Sequence, residues 1–190
     1  MVLSFIKKIV VSKFKNMKQT IFITFLVFFI SSFTVSKRVD AMINKEIKSV
    51  FETETYTKEL VSIPSEINNT LALQITDTNF FKINSNNKNL GYYYLGQAYG
   101  KADYFDFIVL FDKDLIVSKV KILVYREDHG GEVGSKRWLK QFIGTKTATQ
   151  LKYQQDIAAI SGATISAKSM TNEVNKLLKT IYILNTKQLL

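Results

Sequence analysis

Residues 105–125 read FDFIVLFDKDLIVSKVKILVY, and this stretch decides the fold. Its first third, 105–111, is apolar apart from Asp106 and rich in aromatic and β-branched residues. Such side chains pack well on a pleated surface. Asp112-Lys113-Asp114 is a polar interruption with turn-forming composition. Residues 115–125 then place Ile116, Ser118, Val120, Ile122 and Val124 at alternate positions, which predicts one shared face. Two extended runs joined by so short a turn pair antiparallel. Upstream, 71–76, 80–83 and 90–99 have similar composition and are separated by turn residues, including the tract Asn84-Ser85-Asn86-Asn87. The expectation is an antiparallel β-meander.

Helical spacing flanks this meander. Residues 135–143 put Trp138, Leu139 and Phe142 on one face. Residues 164–184 put Met170, Val174, Leu177, Leu178 and Ile181 on one face, with Lys168, Lys176 and Lys179 elsewhere. Strands followed by helices give an α+β class, a meander sheet packed with helices. Further upstream, Met42, Ile43, Ile47 and Val50 predict a polar helix over 40–60, ended by Pro64 and the Asn68-Asn69 pair. Tyr92, Tyr93, Tyr94 and Tyr99 are expected to pack within the sheet.

The net charge of +10 is not spread evenly over the 190 residues. Seven basic residues and no acidic ones precede Val39, whereas the remaining 152 residues carry 19 basic and 16 acidic ones. A nucleic-acid domain concentrates its positive charge in the folded part, so this distribution argues against nucleic acid as a partner. There are no cysteines and one histidine. Disulfides, thiolate zinc sites, iron–sulfur clusters and multi-histidine metal centres are therefore excluded.

The N-terminal charge precedes an apolar run. Residues 19–36 contain no charged side chain, and Lys7, Lys8, Lys13, Lys15 and Lys18 come before them. An 18-residue helix is about 27 Å long, close to a hydrocarbon core of about 30 Å. Lysines on the N-terminal side keep that end in the cytoplasm and send the remainder across. The expectation is a single-pass anchor ahead of an extracytosolic domain. A cleaved signal, which would leave a secreted or periplasmic protein, is the alternative. The organisation expected is a basic anchor or signal over 1–38, a helical stalk over 39–68 and a folded domain over 69–190.

The segment with chemical potential is 156–166, DIAAISGATIS. A small-residue turn, Ser161-Gly162-Ala163-Thr164, leads straight into the last amphipathic helix. Free N–H groups and the helix dipole at such a start favour a phosphate. Gly162 permits close backbone approach, and Ser161, Thr164 and Ser166 supply hydroxyls. The same residue types also suit an ordinary N-cap that binds nothing.

This run resembles the flavinylation motif of the FMN-binding domain family, an Asp followed by Ser/Thr-Gly-Ala-Thr-x-Ser/Thr. Asp156, Ser161, Gly162, Ala163, Thr164 and Ser166 match it. A second block, YREDHGGEVGSKRWLKQF over 125–142, resembles the family's strand ending in Tyr-x-Glu, its glycine-containing loop and its short helix. The loop Gly130-Gly131-Glu132-Val133-Gly134 stands where subunits of ion-translocating redox complexes usually carry Thr-Pro-Gly-x-Gly, so stand-alone extracytosolic members are the better likeness. The resemblance covers about 90–183.

The resemblance implies a covalent FMN, its phosphate esterified to the last hydroxyl of the motif, here Ser166. It implies an electron-transfer carrier rather than an enzyme with its own substrate. The partners implied are a flavin transferase that attaches FMN from FAD, the membrane, and membrane or extracytosolic redox proteins. Beside the resemblance, Gly130, Gly131 and Glu132 are read as a loop that approaches the flavin or as a plain loop, Lys136 and Arg137 as cations for a reduced ring or as a solvated face, and Trp138 as packing on the ring or in the core. Asp156 would orient the segment for the transferase. His129, a lone loop histidine, is read as incidental. A subunit of an ion-translocating redox complex and a non-redox anchored binding module are the alternatives.

Overall fold

The computed structural model describes residues 37–190; the expected anchor over 19–36 lies outside the described residues. Ile43–Leu190 forms one compact unit, distinct from the residues up to Met42. Five strands form one antiparallel sheet in sequential order: β1 (Thr57–Leu60), β2 (Phe80–Ser85), β3 (Lys88–Tyr99), β4 (Tyr104–Asp112) and β5 (Val117–Val124). This is the α+β meander expected from 105–125.

The helices sort to the two faces by strand alternation. Phe80, Tyr92, Tyr94, Ala98, Phe105, Phe107, Val109 and Phe111 are buried in one core cluster. They share it with Met170, Val174, Leu177, Leu178 and Ile181 of the long C-terminal helix (Thr164–Thr186), the apolar stripe read from its spacing. Stacked Phe80 and Tyr92 rings, 5.6 Å apart, tie β2 to β3 beneath it. Tyr93, Ile108 and Leu110 alternate with these residues and are buried on the opposite face. Ile108 pairs with Lys121 and Leu110 with Lys119, so both lysines share that face. Glu46, on a helix described over 37–51 (α1), reaches Lys121 at 2.5 Å and Lys119 at 3.7 Å. With Ile43 and Ile47 also buried, residues 43–51 cover the face that the C-terminal helix leaves open.

Three local features depart from the sequence expectation. First, the polar helix ends at residue 51 rather than 60, and 57–60 forms edge strand β1. All four β1 residues are exposed, so no alternation announced it. Pairing with β2 defines this strand, not burial. Second, 71–76 is not a strand, although Leu71, Leu73 and Ile75 are buried at alternate positions. Side chains replace the ladder: the Leu73 amide donates to Thr180 Oγ1, the Thr180 hydroxyl donates to the Leu73 carbonyl, and the Ile75 amide donates to Asn68 Oδ1. The segment packs on a helix, so its periodicity survives while its pairing does not. Third, the β5 face is not Ile116 to Val124 at every second position. Val117, Val120 and Leu123 are the buried residues. Two register irregularities against β4, at Asp106/Phe107 and Leu110/Phe111, rotate the strand part-way along and turn a period of two into one of three.

Beyond β5 the chain makes a short helix, α2 being Ser65–Asn68 and α3 Lys136–Leu139 in chain order, and the Thr164–Thr186 helix is α4. Ser135 caps α3 by accepting from the Trp138 amide, and a 3-10 turn, Lys140–Phe142, extends it. Trp138, Leu139 and Phe142 are all buried, as their spacing predicted. Among the described residues, no helix is long and apolar enough to cross a membrane.

Candidate functional site

The two sequence blocks meet at one end of the sheet. Tyr125, directly after β5, donates its phenolic hydrogen to the His129 carbonyl at 2.9 Å. Its one hydrogen is thereby used, so the 3.2 Å contact with Ser166 Oγ has Ser166 as donor. This chain of bonds joins the glycine loop to the first turn of α4. Gly130 sits between the two: with φ of +81° it is in the left-handed region, and a Cβ there would lie 2.9 Å from Tyr125 Oη and 3.2 Å from the Ala163 Cβ. The loop backbone thus approaches the Ser161-Gly162-Ala163-Thr164 turn as only glycine allows. Tyr125→Phe removes both bonds and leaves the buried Ser166 hydroxyl without an acceptor. The expected loss is about 1–3 kcal/mol in urea unfolding at unchanged m value.

α4 begins without a side-chain cap. Its N-cap position is Ala163, which can offer none, and neither Ser161 nor Thr164 takes that role. The Ala163 amide is used by the Ile160 carbonyl at 3.1 Å, whereas the amides of Thr164, Ile165 and Ser166 have no acceptor among the described residues. Gly162, at φ of +81°, turns the chain into the helix, and a Cβ there would meet nothing within 4 Å. An open, positively polarised helix start remains beside an exposed Thr164. The N-cap alternative for these hydroxyls is therefore not the one this fold uses.

Accessibility separates the three hydroxyls. Ser161 and Thr164 are exposed, whereas Ser166 is 4% exposed and engaged with Tyr125. Helical geometry explains this: Ser166 falls on the flank of the helix turned towards Tyr125, while Thr164 falls on the opposite flank.

The segment leading in is clamped from several sides. Trp138 Nε1 donates to the Ala158 carbonyl at 2.8 Å, and Gln141 Oε1 accepts from the Ala158 amide at 2.8 Å. Both polar groups of one backbone unit are thus satisfied by side chains from α3 and its extension. Trp138 is 5% exposed and packs edge-on to Phe142, so it belongs to the core and this clamp rather than to an open platform. Asp156 accepts from the Lys152 amide at 2.8 Å and closes the preceding turn.

The other loop residues are less closely gathered. Gly131 and Glu132 begin a 3-10 turn (Gly131–Gly134) and are exposed, with open space around Gly131. Lys136 and Arg137 are exposed. Lys136 and Gly134 line a cavity of about 360 Å³ with Lys119, Lys121, Lys140 and Glu46, and no residue of 161–166 lines it. Glu127 of the Tyr-x-Glu block accepts from the amides of Ala102 at 2.9 Å and Asp103 at 3.3 Å, and so fixes the β3–β4 turn. The Ala102 bond foremost, joined by that of Asp103, holds its carboxyl below the usual 4.5. A depressed folded value means its stabilising contribution is present above 4.5 and is lost as pH falls through the folded value. Glu127→Gln should therefore flatten the acid limb of a plot of melting temperature against pH.

Residues 100–179 match the family model of the FMN-binding domain. This part of the chain is an FMN-binding domain. No curated protein matches the chain. The match contains both blocks, 125–142 and 156–166, that the fold brings together, and it ends within α4. The domain carries a flavin-binding role, with FMN as its flavin. The site fits that group: an uncapped helix start suits a phosphate, and the open turn at Gly162 leaves the approach clear.

Two contributors lie beyond sequence reasoning. Tyr125 was legible only as a strand-end residue, since its partner lies 41 positions away. Gln141 had no signal at all.

Proposed function

We propose that the chain is an extracytosolic, membrane-associated electron carrier whose FMN is joined by a phosphoester to a hydroxyl at the start of α4. The observation that carries this reading is the uncapped first turn of α4, with its unpaired amides beside an exposed threonine, inside an FMN-binding domain. The resemblance favoured Ser166 as acceptor; accessibility favours Thr164. A transferase must bring its own phosphoryl donor to the hydroxyl, and a side chain that is 4% exposed and hydrogen-bonded to Tyr125 offers no approach.

The attachment balances with FAD as donor. The pyrophosphate bond of FAD breaks, the FMN phosphorus bonds to the side-chain oxygen, AMP leaves, and the hydroxyl proton passes to a base on the transferase. The bound flavin supplies the redox chemistry. This chain's residues would hold it: the α4 amides would meet the phosphate, the Gly162 turn would leave it room, and the clamp on Ala158 keeps the segment in place. The uncharged 19–36 run behind five lysines supports an anchored domain outside the cytoplasm. Anchoring raises the local concentration of the carrier near membrane partners.

The test is intact mass with peptide mapping on protein from its native host. The expected result is one FMN adduct on the peptide holding 161–166, flavin fluorescence in the denaturing-gel band, and an N-terminus that retains 19–36. An unmodified peptide from a host whose other flavin acceptors are loaded would sink the covalent reading.

A further inference from the structure

Resting on the attachment to Thr164, we propose that Lys168 is the positioning residue for the FMN phosphate, with the Tyr153 ring holding its ammonium in place. Thr164 and Lys168 are four residues apart on α4, so their side chains stand one above the other on the same flank, with Cβ atoms about 6 Å apart. Both are exposed. Lys168 Nζ lies over the Tyr153 ring, 5.9 Å from its centroid, within the range where a ring face attracts a cation. Among the described residues, Lys168 has no ion pair or hydrogen bond, so no carboxylate neutralises it. The nearest acid along the helix, Glu173, is engaged with Lys176 at 2.7 Å.

Tyr153 is itself held. It bridges to Ile157 in the turn closed by Asp156, and its ring packs against the core cluster. Its Oη is buried with no hydrogen-bond partner among the described residues. A buried phenol without a partner is uncommon and disfavoured, so Tyr153 is kept here against a cost. An aromatic ring beneath the lysine is what the position supplies.

The chemistry fits a phosphodiester. The ester between FMN and a threonine oxygen leaves one negative charge on the phosphate. The helix amides meet that charge along the axis, and a single ammonium on the same flank meets it from the side. Lys168 would attract the incoming FAD pyrophosphate during attachment and hold the finished ester against the helix afterwards. It donates no proton and forms no bond to the phosphorus.

The test compares initial loading rates of full-length wild type, Lys168→Ala, Lys168→Arg and Thr164→Val, with FAD and the host's flavin transferase at limiting concentration. Loading is read by intact mass. Loss of one exposed attraction should slow Lys168→Ala about fivefold at low salt. The difference should shrink towards unity at about 0.5 M salt, where screening is strong. Lys168→Arg should restore the rate, since charge is what matters. On the loaded proteins, the phosphorus-31 resonance of the ester should move in Lys168→Ala and return in Lys168→Arg. A Lys168→Ala protein that loads at the wild-type rate at low salt, while Thr164→Val stays unloaded, overturns the assignment. So does a slowing that is independent of salt and not rescued by arginine, which would mark a structural role. Loading of Thr164→Val would overturn the attachment reading and this assignment with it.

Discussion

Thr164→Val protein, produced alongside a working flavin transferase, is expected to emerge folded and without covalent flavin. Valine keeps the branched shape and removes the only nucleophilic atom. Thr164 is exposed at the first position of α4, so neither packing nor a cap is lost, and its melting temperature should stay near that of the unloaded wild type. Ser166→Ala is the paired experiment. It deletes a buried hydrogen bond to Tyr125 and should cost about 1 kcal/mol of stability while leaving loading largely intact. The pair decides between Ser166, the acceptor that the resemblance implies, and Thr164, the one that accessibility favours. A Ser166→Ala protein that loses its adduct while Thr164→Val keeps it would return the assignment to the buried serine and require the first turn of α4 to open during attachment.

Gly130→Ala should be the most damaging single methyl group in the site. The residue sits at φ of +81°, where an L side chain is strained by about 1–2 kcal/mol. The new Cβ would also stand 2.9 Å from Tyr125 Oη and 3.2 Å from the Ala163 Cβ, and such overpacking costs about 1–3 kcal/mol. Together these give a loss of about 2–5 kcal/mol. At about 2–4 °C per kcal/mol for a domain of this size, melting should fall by about 4–20 °C. Loading should fall too, because relief of the clash pushes the glycine loop away from the Ala163 turn. Gly131→Ala is the control. Its added Cβ would meet nothing within 4 Å, so thermal melting and loading should both match wild type. Equal behaviour of the two variants would remove the glycine loop from the site.

Much of the sheet was legible because its signals are local. The 80–99 and 105–111 runs carry their own β composition, and Asp112-Lys113-Asp114 carries its own turn chemistry, so β2 to β4 fall where expected. The α4 stripe was equally plain, since a 3.6-residue period needs no partner to be seen. What failed was whatever depended on a neighbour. β1 exists only through its pairing with β2. The 71–76 segment lost strand status because Asn68 and Thr180 supply its hydrogen bonds. The buried set of β5 shifted because two irregularities in its pairing with β4 rotate it.

The candidate site divides in the same way. Residue order alone determined that small residues and hydroxyls precede a long amphipathic helix, that a glycine loop follows the last strand, and that cysteine chemistry is absent. These depend on covalent order and on the intrinsic preferences of each residue. Tertiary structure decided which of the motif's two hydroxyls within α4 is available. Ser166 is enclosed by Tyr125, whose position is set by the end of β5, and Thr164 is left exposed on the opposite flank. Exposure and hydrogen-bond partnership are properties of atoms far apart in sequence, and no local pattern encodes them.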